Sequence, residues 1–133
     1  MNRFSIIGAA HLDALVEGVD ESALHLGSSP AERIRLGFGG DALNEAITLT
    51  RLGGVVDLVS KVGNDNAGDM VLEFCRTTGL STEHIAREEN LSTSMNIVLI
   101  DRAGERRFIT DPHSSLRALS LFDVLPWVET LSH

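Results

Sequence analysis

The stretch RLGFGGDALNEAITLTRLGG, Arg35–Gly54, decides the fold. Three of its first six residues are glycine, and Asp41 and Asn44 follow before an apolar pattern begins. From Asp41 to Leu52 that pattern has a helical period, with Ala42, Ala46 and Leu49 on one face and Leu43 and Ile47 beside them. Gly53 and Gly54 supply the stop. A core helix that opens on bare backbone and two short polar side chains needs a reason.

Formally, Gly37-Phe38-Gly39-Gly40-Asp41-Ala42 fits the dinucleotide fingerprint G-x-G-x-x-A, and Asp57 lies 20 residues beyond Gly37. The context excludes that reading. The fingerprint follows a buried parallel strand, whereas ERIRLGF, Glu32–Phe38, alternates Ile34, Leu36 and Phe38 against Arg33 and Arg35. Asp57 falls near the start of a strand, not at its end. Asp41 at the helix N-terminus repels a pyrophosphate where the dipole would attract it. There is no G-x-x-x-x-G-K-[ST] phosphate loop. Recognition of hydroxyls remains. Gly39 and Gly40 expose backbone donors and acceptors, and Asp41 and Asn44 lie one turn apart on the helix surface. A plain structural reading stands beside it: Asp41 as N-cap and Asn44 merely tolerated.

Outward from this stretch, Phe4–Ile7 reads as a buried strand ending at Gly8. SALHLG, Ser22–Gly27, and ERIRLGF read as strands covered on one face only, with Pro30 in the turn between them. VVDLVSKVG, Val55–Gly63, is a largely apolar strand. NDNAG reads as a loop, and Asp69–Thr78 as a helix with Met70, Val71, Phe74 and Cys75 inward and Gly79 as its stop. TSMNIVLID, Thr93–Asp101, and RRFIT, Arg106–Thr110, flank RAGE as a hairpin. Leu119–Leu131 reads as helical, with Pro126 early in it. Alternating strands and helices predict a three-layer α/β core, and the half-apolar strands a small separate sheet.

The 133 residues suit one domain or part of a larger protein, and 43% hydrophobic residues suit a globular one. A net charge of −8 argues against nucleic acid as partner. The single cysteine, Cys75, excludes an internal disulfide and a cysteine-based zinc cluster, and reads as a buried small hydrophobe. No apolar run approaches the ~18 residues of a membrane span. The N-terminal segment, interrupted by His11 and Asp13, reads as a strand and not a signal peptide, which places the chain in the cytoplasm.

The long ordered string GFGGDALNEAITLTRLGGVVDLVSKVGNDNAGDMVLEFCRTTGL resembles the first signature region of the ribokinase-like (PfkB-type) carbohydrate kinases. The Gly-Gly pair, Asn44, RLG at Arg51–Gly53, KVGNDNAG and TTGL stand in that family's order, and the likeness runs from Ile6 to about Phe122. It is nearest to uncharacterised bacterial sugar kinases. The resemblance implies an enzyme that transfers the ATP γ-phosphate to a sugar hydroxyl with Mg²⁺ assisting. It also implies a ribokinase-like three-layer α/β core whose small β-sheet lid covers the sugar. Residues 1–133 then form the N-terminal region of such a kinase, with core at about 1–10, 39–82 and 115–133 and lid strands at about 14–38 and 91–111.

By the same resemblance Asp13 falls on the sugar-binding acid after the first strand, and Gly39, Gly40 and Asn44 on the sugar-binding helix entry. Asp41 stands where some relatives carry lysine, and His11 where many carry asparagine. Asn96, on a lid strand, and Arg107 or its neighbour Arg106 are further ligand candidates, the arginines for an anionic group; for each the alternative is an ordinary solvent-facing strand residue. No catalytic, cofactor-binding or metal-binding residue is assigned. The family's G-A-G-D motif, with its general base and anion site, does not occur in the sequence, and NAGD at Asn66–Asp69 sits in a different place. The expectation is therefore a lid and sugar site without the phosphoryl-transfer machinery, inactive alone. The ending PWVETLSH, inside a helical pattern without a stop signal, fits a truncated chain. A homo-oligomer is expected from the uncovered apolar surface. The competing function is a non-catalytic sugar-binding or dimerisation module.

Overall fold

The computed structural model describes residues 3–115 and 118–131. Of the tail read from the sequence as core, 116–117 and 132–133 lie outside the described residues. In chain order the elements are β1 (Arg3–Ile7), β2 (His11–Glu17), β3 (Arg33–Gly39), α1 (Asp41–Arg51), β4 (Val55–Gly63), α2 (Asn66–Thr77), β5 (Ile85–Glu88), β6 (Met95–Ile100), β7 (Arg106–Thr110), α3 (Leu121–Val124) and α4 (Val128–Leu131).

These strands form two sheets. The core sheet has the order β1-β4-β5, all parallel, with Ile6 beside Leu58 and Ser60 beside Ile85. Parallel pairing needs crossovers, and α1 and α2 supply them. Leu43, Leu58, Val62, Val71 and Cys75 are fully buried where these helices meet the sheet. Burial also pushes the Cys75 thiol up to about 11.

The second sheet has the order β3-β2-β6-β7. β2 runs antiparallel to β3 and parallel to β6, and β6–β7 is the expected hairpin, with Gly104 at φ +83° in its turn. Register puts His11, Asp13 and Leu15 on the same face as Arg35, Asn96 and Phe108. The opposite face carries Ile34, Leu36, Ile97 and Ile109, which are 69%, 52%, 44% and 44% exposed. At its base, the Phe38 ring stacks on Phe74 of α2 with centroids 4.2 Å apart.

Four sequence expectations are corrected. Ser22–Gly27 is not a strand: Glu21–His25 is a 3-10 helix, because the Asp20 carboxylate accepts from Ser22 N (2.8 Å) and closes a local turn. The lid strand is β2 instead. The NDNAG segment is not wholly loop, because Asp65 caps α2 by accepting from Gly68 N (2.8 Å) and starts the helix at Asn66. Met70 is 37% exposed and not inward. The tail is helical in pieces, α3 and α4 joined by a 3-10 turn at Leu125–Trp127, since Pro126 has no N–H to give an α-helix. Lys61 ties this tail to the core sheet through Asp123 (2.8 Å) and Glu88 (3.0 Å).

Candidate functional site

A cleft of about 780 Å³ opens where the polar lid face meets the N-terminus of α1 and the end of β1. Its back wall follows from one glycine. Gly40 has φ +104°, and a Cβ there would lie 2.2 Å from the Ala9 carbonyl oxygen. Only glycine lets the chain leave β3, pass against Ala9 and enter α1. Gly40 is also the N-cap of α1 and has no side chain with which to cap it. Asp41 is the first helical residue and makes no capping hydrogen bond, so the plain N-cap reading of Asp41 is corrected. The bare first turn and its positive dipole end are thus left to the cleft, with the exposed Asp41 and Asn44 beside them.

Across from the helix entry stands Asp13 on β2. Its Oδ1 accepts from Asn96 Nδ2 (2.9 Å), the residue directly beside it on β6. His11 Nε2 lies 3.2 Å from the same oxygen. Asn96 is only 6% exposed and reaches the cleft through Asp13. Gly39 is the second necessary glycine, since a Cβ there would lie 2.7 Å from Asp13 Oδ2 and 2.8 Å from His11 Nε2. The result is a fixed carboxylate facing an uncapped helix end, a polar arrangement suited to hydroxyl groups.

Asp13, Gly39, Gly40, Asp41 and Asn44 therefore share one cleft, and Asn96 joins them by its bond to Asp13. Arg107 does not. It sits on the opposite lid face and pairs with Glu21 (3.1 Å), whereas Arg106 lines the cleft, because neighbouring strand residues point to opposite faces. Arg35, Glu45 and Phe108 also line it and were not singled out in the sequence. Arg35 is held by Glu17 (2.9 Å). The alternation of ERIRLGF contained the signal for Arg35, since the polar face of a lid strand is the face that meets a ligand.

Two acids of the sequence reading lie elsewhere. Asp57 is buried beneath Arg3 (2.7 Å), and β3, the strand leading into the glycine turn, is an antiparallel lid strand, so the dinucleotide reading has no structural support. Asp69 pairs with Arg87 (2.8 Å) on the outside of α2. Among the described residues no cluster of three or more His, Cys, Asp or Glu is placed to hold a metal ion, and no helix is long and apolar enough to cross a membrane.

Similarities to known proteins agree with this arrangement. The chain is 26% identical over 95 residues to a 2-dehydro-3-deoxygluconokinase of Haemophilus influenzae, covering 68% of this chain and 30% of that one. It is 37% identical over 71 residues to fructokinase-2 of Solanum lycopersicum, covering 53% and 22%. It is 29% identical over 105 residues to a guanosine-inosine kinase of Exiguobacterium acetylicum, covering 79% and 34%. The chain thus spans about a third or less of the length of these relatives. Among solved structures, a sugar kinase from Pyrococcus horikoshii in complex with ATP superposes with a TM-score of 0.76 at 26% identity, over 91% of this chain and 37% of the other. A fructokinase with bound ATP from Xylella fastidiosa gives 0.73 at 25% identity, over 91% and 34%. The family model of the pfkB family carbohydrate kinases matches residues 2–130. A ribokinase-like core with a lid, a polar cleft at their junction and a match over nearly the whole length lead to one conclusion: the chain belongs to the pfkB family of carbohydrate kinases.

Proposed function

We propose that this chain forms the N-terminal, sugar-binding part of an ATP-dependent carbohydrate kinase. The observation that carries the reading is Asp13, held by Asn96 with His11 beside it, opposite the uncapped entry of α1. Asp13 accepts from a sugar hydroxyl, Asn44 donates to or accepts from a second, and the backbone at Gly39 and Gly40 makes room for the ring. Asp41 borders the ligand at the helix end. Arg106 takes the place first given to Arg107, facing the ligand from the lid. ATP is the phosphoryl donor, in keeping with the ATP-bound structural relatives. Mg²⁺ would accompany it, but no residue of this chain is assigned to either. The reading places the protein in the cytoplasm, with a small-molecule sugar or related alcohol as its partner and no nucleic acid or membrane.

The chain alone binds and does not transfer. The sequence contains no G-A-G-D, so it offers no general base at that motif. An ATP-consumption assay on the 133-residue chain over a panel of sugars tests this division of labour. The expected result is no sugar-dependent turnover. Turnover that disappears in Asp13→Ala would place the chemistry inside this chain and overturn the proposal. In a polypeptide that also carries the catalytic part, Asp13→Ala and Asn44→Ala should each cost about 1–3 kcal/mol in kcat/KM, the value of a hydrogen bond with one partner left unsatisfied.

A further inference from the structure

We infer that the cleft takes an anionic sugar, a sugar acid or a sugar phosphate, whose charged group is held by Arg106 at the lid end. The inference rests on the sugar-binding reading and deepens it by naming the substrate class.

The chain is acid-rich, with 19 Asp and Glu to 11 Lys and Arg, so a cation without a carboxylate partner is the exception. Arg76, Arg87, Arg102 and Arg107 each lie within 3.4 Å of a carboxylate oxygen. Arg106 lines the cleft and has no ion pair or hydrogen bond among the described residues. Beyond Asp13, toward the tip of the lid, the cleft-side face carries Arg33, Arg35 and Arg106 but only the acid Glu17, and Glu17 is taken by Arg35 (2.9 Å). This end of the lid face therefore holds positive charge that nothing in the lid offsets. The acids that line the cleft, Asp13, Asp41 and Glu45, stand at the start of β2 and on α1 instead.

Register also sets the length of the ligand. Thr110 lies in the same transverse row as Asp13, and Arg106 lies four residues away from Thr110 along β7. At ~3.3 Å per residue and ~4.8 Å per strand, the backbones at Asp13 and Arg106 stand roughly 16 Å apart. The long arginine side chain, reaching back into the cleft, narrows that span to the length of one sugar. A hydroxyl held at Asp13 thus leaves the far end of the same molecule at Arg106. The guanidinium fork donates two parallel hydrogen bonds to a carboxylate or phosphate, a match that a neutral hydroxyl does not make. A site built to hydrogen-bond one group rejects the analogue that lacks it.

Calorimetry on this chain decides the matter with matched pairs: gluconate against glucose, glucose 6-phosphate against glucose, and ribose 5-phosphate against ribose. In at least one pair the anionic member should bind about tenfold tighter or more, the worth of one charge-assisted hydrogen bond. The pair that shows this tells carboxylate from phosphate. Arg106→Gln should bring that ratio close to one. Arg107→Gln removes the same charge from the opposite lid face and should leave the ratio as in wild type. Ratios near one in every wild-type pair, while a neutral sugar binds, overturn the inference and leave the kinase reading intact. A ratio that survives Arg106→Gln, or that is lost equally in Arg107→Gln, overturns it as well. If no sugar of either kind binds, the kinase reading itself fails and the substrate class falls with it.

Discussion

Asp65 and Thr93 are joined through both oxygens of one carboxylate: Thr93 Oγ1 donates to Oδ1 (2.6 Å) and Thr93 N donates to Oδ2 (2.8 Å). Oδ1 also accepts from Gly68 N, which caps α2, and Gly63 N donates to Thr93 Oγ1 (2.8 Å). One side chain thus ties the end of β4, the start of α2 and the approach to lid strand β6 into a single corner. The lid is anchored to the core two residues before β6 begins.

This corner makes stability depend on acid. Burial alone would raise the Asp65 pKa, but the bonds from Thr93 and Gly68 together outweigh it and hold the group below its ordinary value. A depressed folded pKa contributes stability that is fully present above the unfolded value of about 3.9 and is lost as pH falls through the folded pKa. Asp65→Asn still caps α2 but cannot accept at both oxygens. It should cost about 1–2 kcal/mol at pH 7 and flatten the acid limb below pH ~4. Urea unfolding at a series of pH values checks both, and an acid limb of unchanged slope would contradict the assignment.

The two glycines of the cleft should behave differently. At Gly40 both the positive φ and the Ala9 backbone oppose a Cβ, so Gly40→Ala should cost more than about 2 kcal/mol. At Gly39 only the Asp13 and His11 side chains stand in the way, and these can turn aside. Gly39→Ala should leave the thermal midpoint within a few degrees of wild type, by the usual scaling for small domains, and should abolish sugar binding. Thermal unfolding and calorimetry on the two variants separate the effects; equal losses of stability would refute the distinction.

The outer lid face should drive association. Ile34 and Leu36 stand 69% and 52% exposed beside Ile97 and Ile109, in a contiguous apolar face that monomers rarely leave bare. Sedimentation equilibrium at micromolar concentration should show a dimer or larger, and Ile34→Lys with Leu36→Glu should give a monomer. A wild-type monomer that binds no hydrophobic dye would end this account of the lid.

Cys75 offers a probe of the core. Its thiol is fully buried and pushed up to about 11, so it should not react with a thiol reagent at pH 8 in the native protein. Reaction should follow global unfolding in denaturant. Rapid native-state labelling would show that α2 opens locally.

Much of the core was legible in the sequence. α1 shows a clear helical period between a Gly-Gly entry and a Gly-Gly exit, and β4 is largely apolar and buried on both faces, with glycine at each end. β2 was hidden because Leu15 interrupts its alternation on the polar face, and β5 because four residues give no period. The 3-10 helix at Glu21–His25 imitates a strand by alternating apolar residues, though Leu24 is 63% exposed and pairs with nothing regular. In the site, the glycines and Asn44 announced themselves by type and spacing. The choice of Arg106 over Arg107 is a matter of register parity, and the bond between Asp13 and Asn96 spans 83 residues. Both depend on how β2, β6 and β7 align, which no local pattern specifies.

Calorimetric titration of the 133-residue chain with a panel of sugars and polyols, comparing wild type with Asp13→Ala, tests the central claim most directly. The account predicts saturable binding of at least one sugar, weakened about tenfold or more in the variant by loss of a charged acceptor, with circular dichroism unchanged. Binding that is undiminished in Asp13→Ala, or no binding of any sugar by the folded wild-type chain, would contradict it.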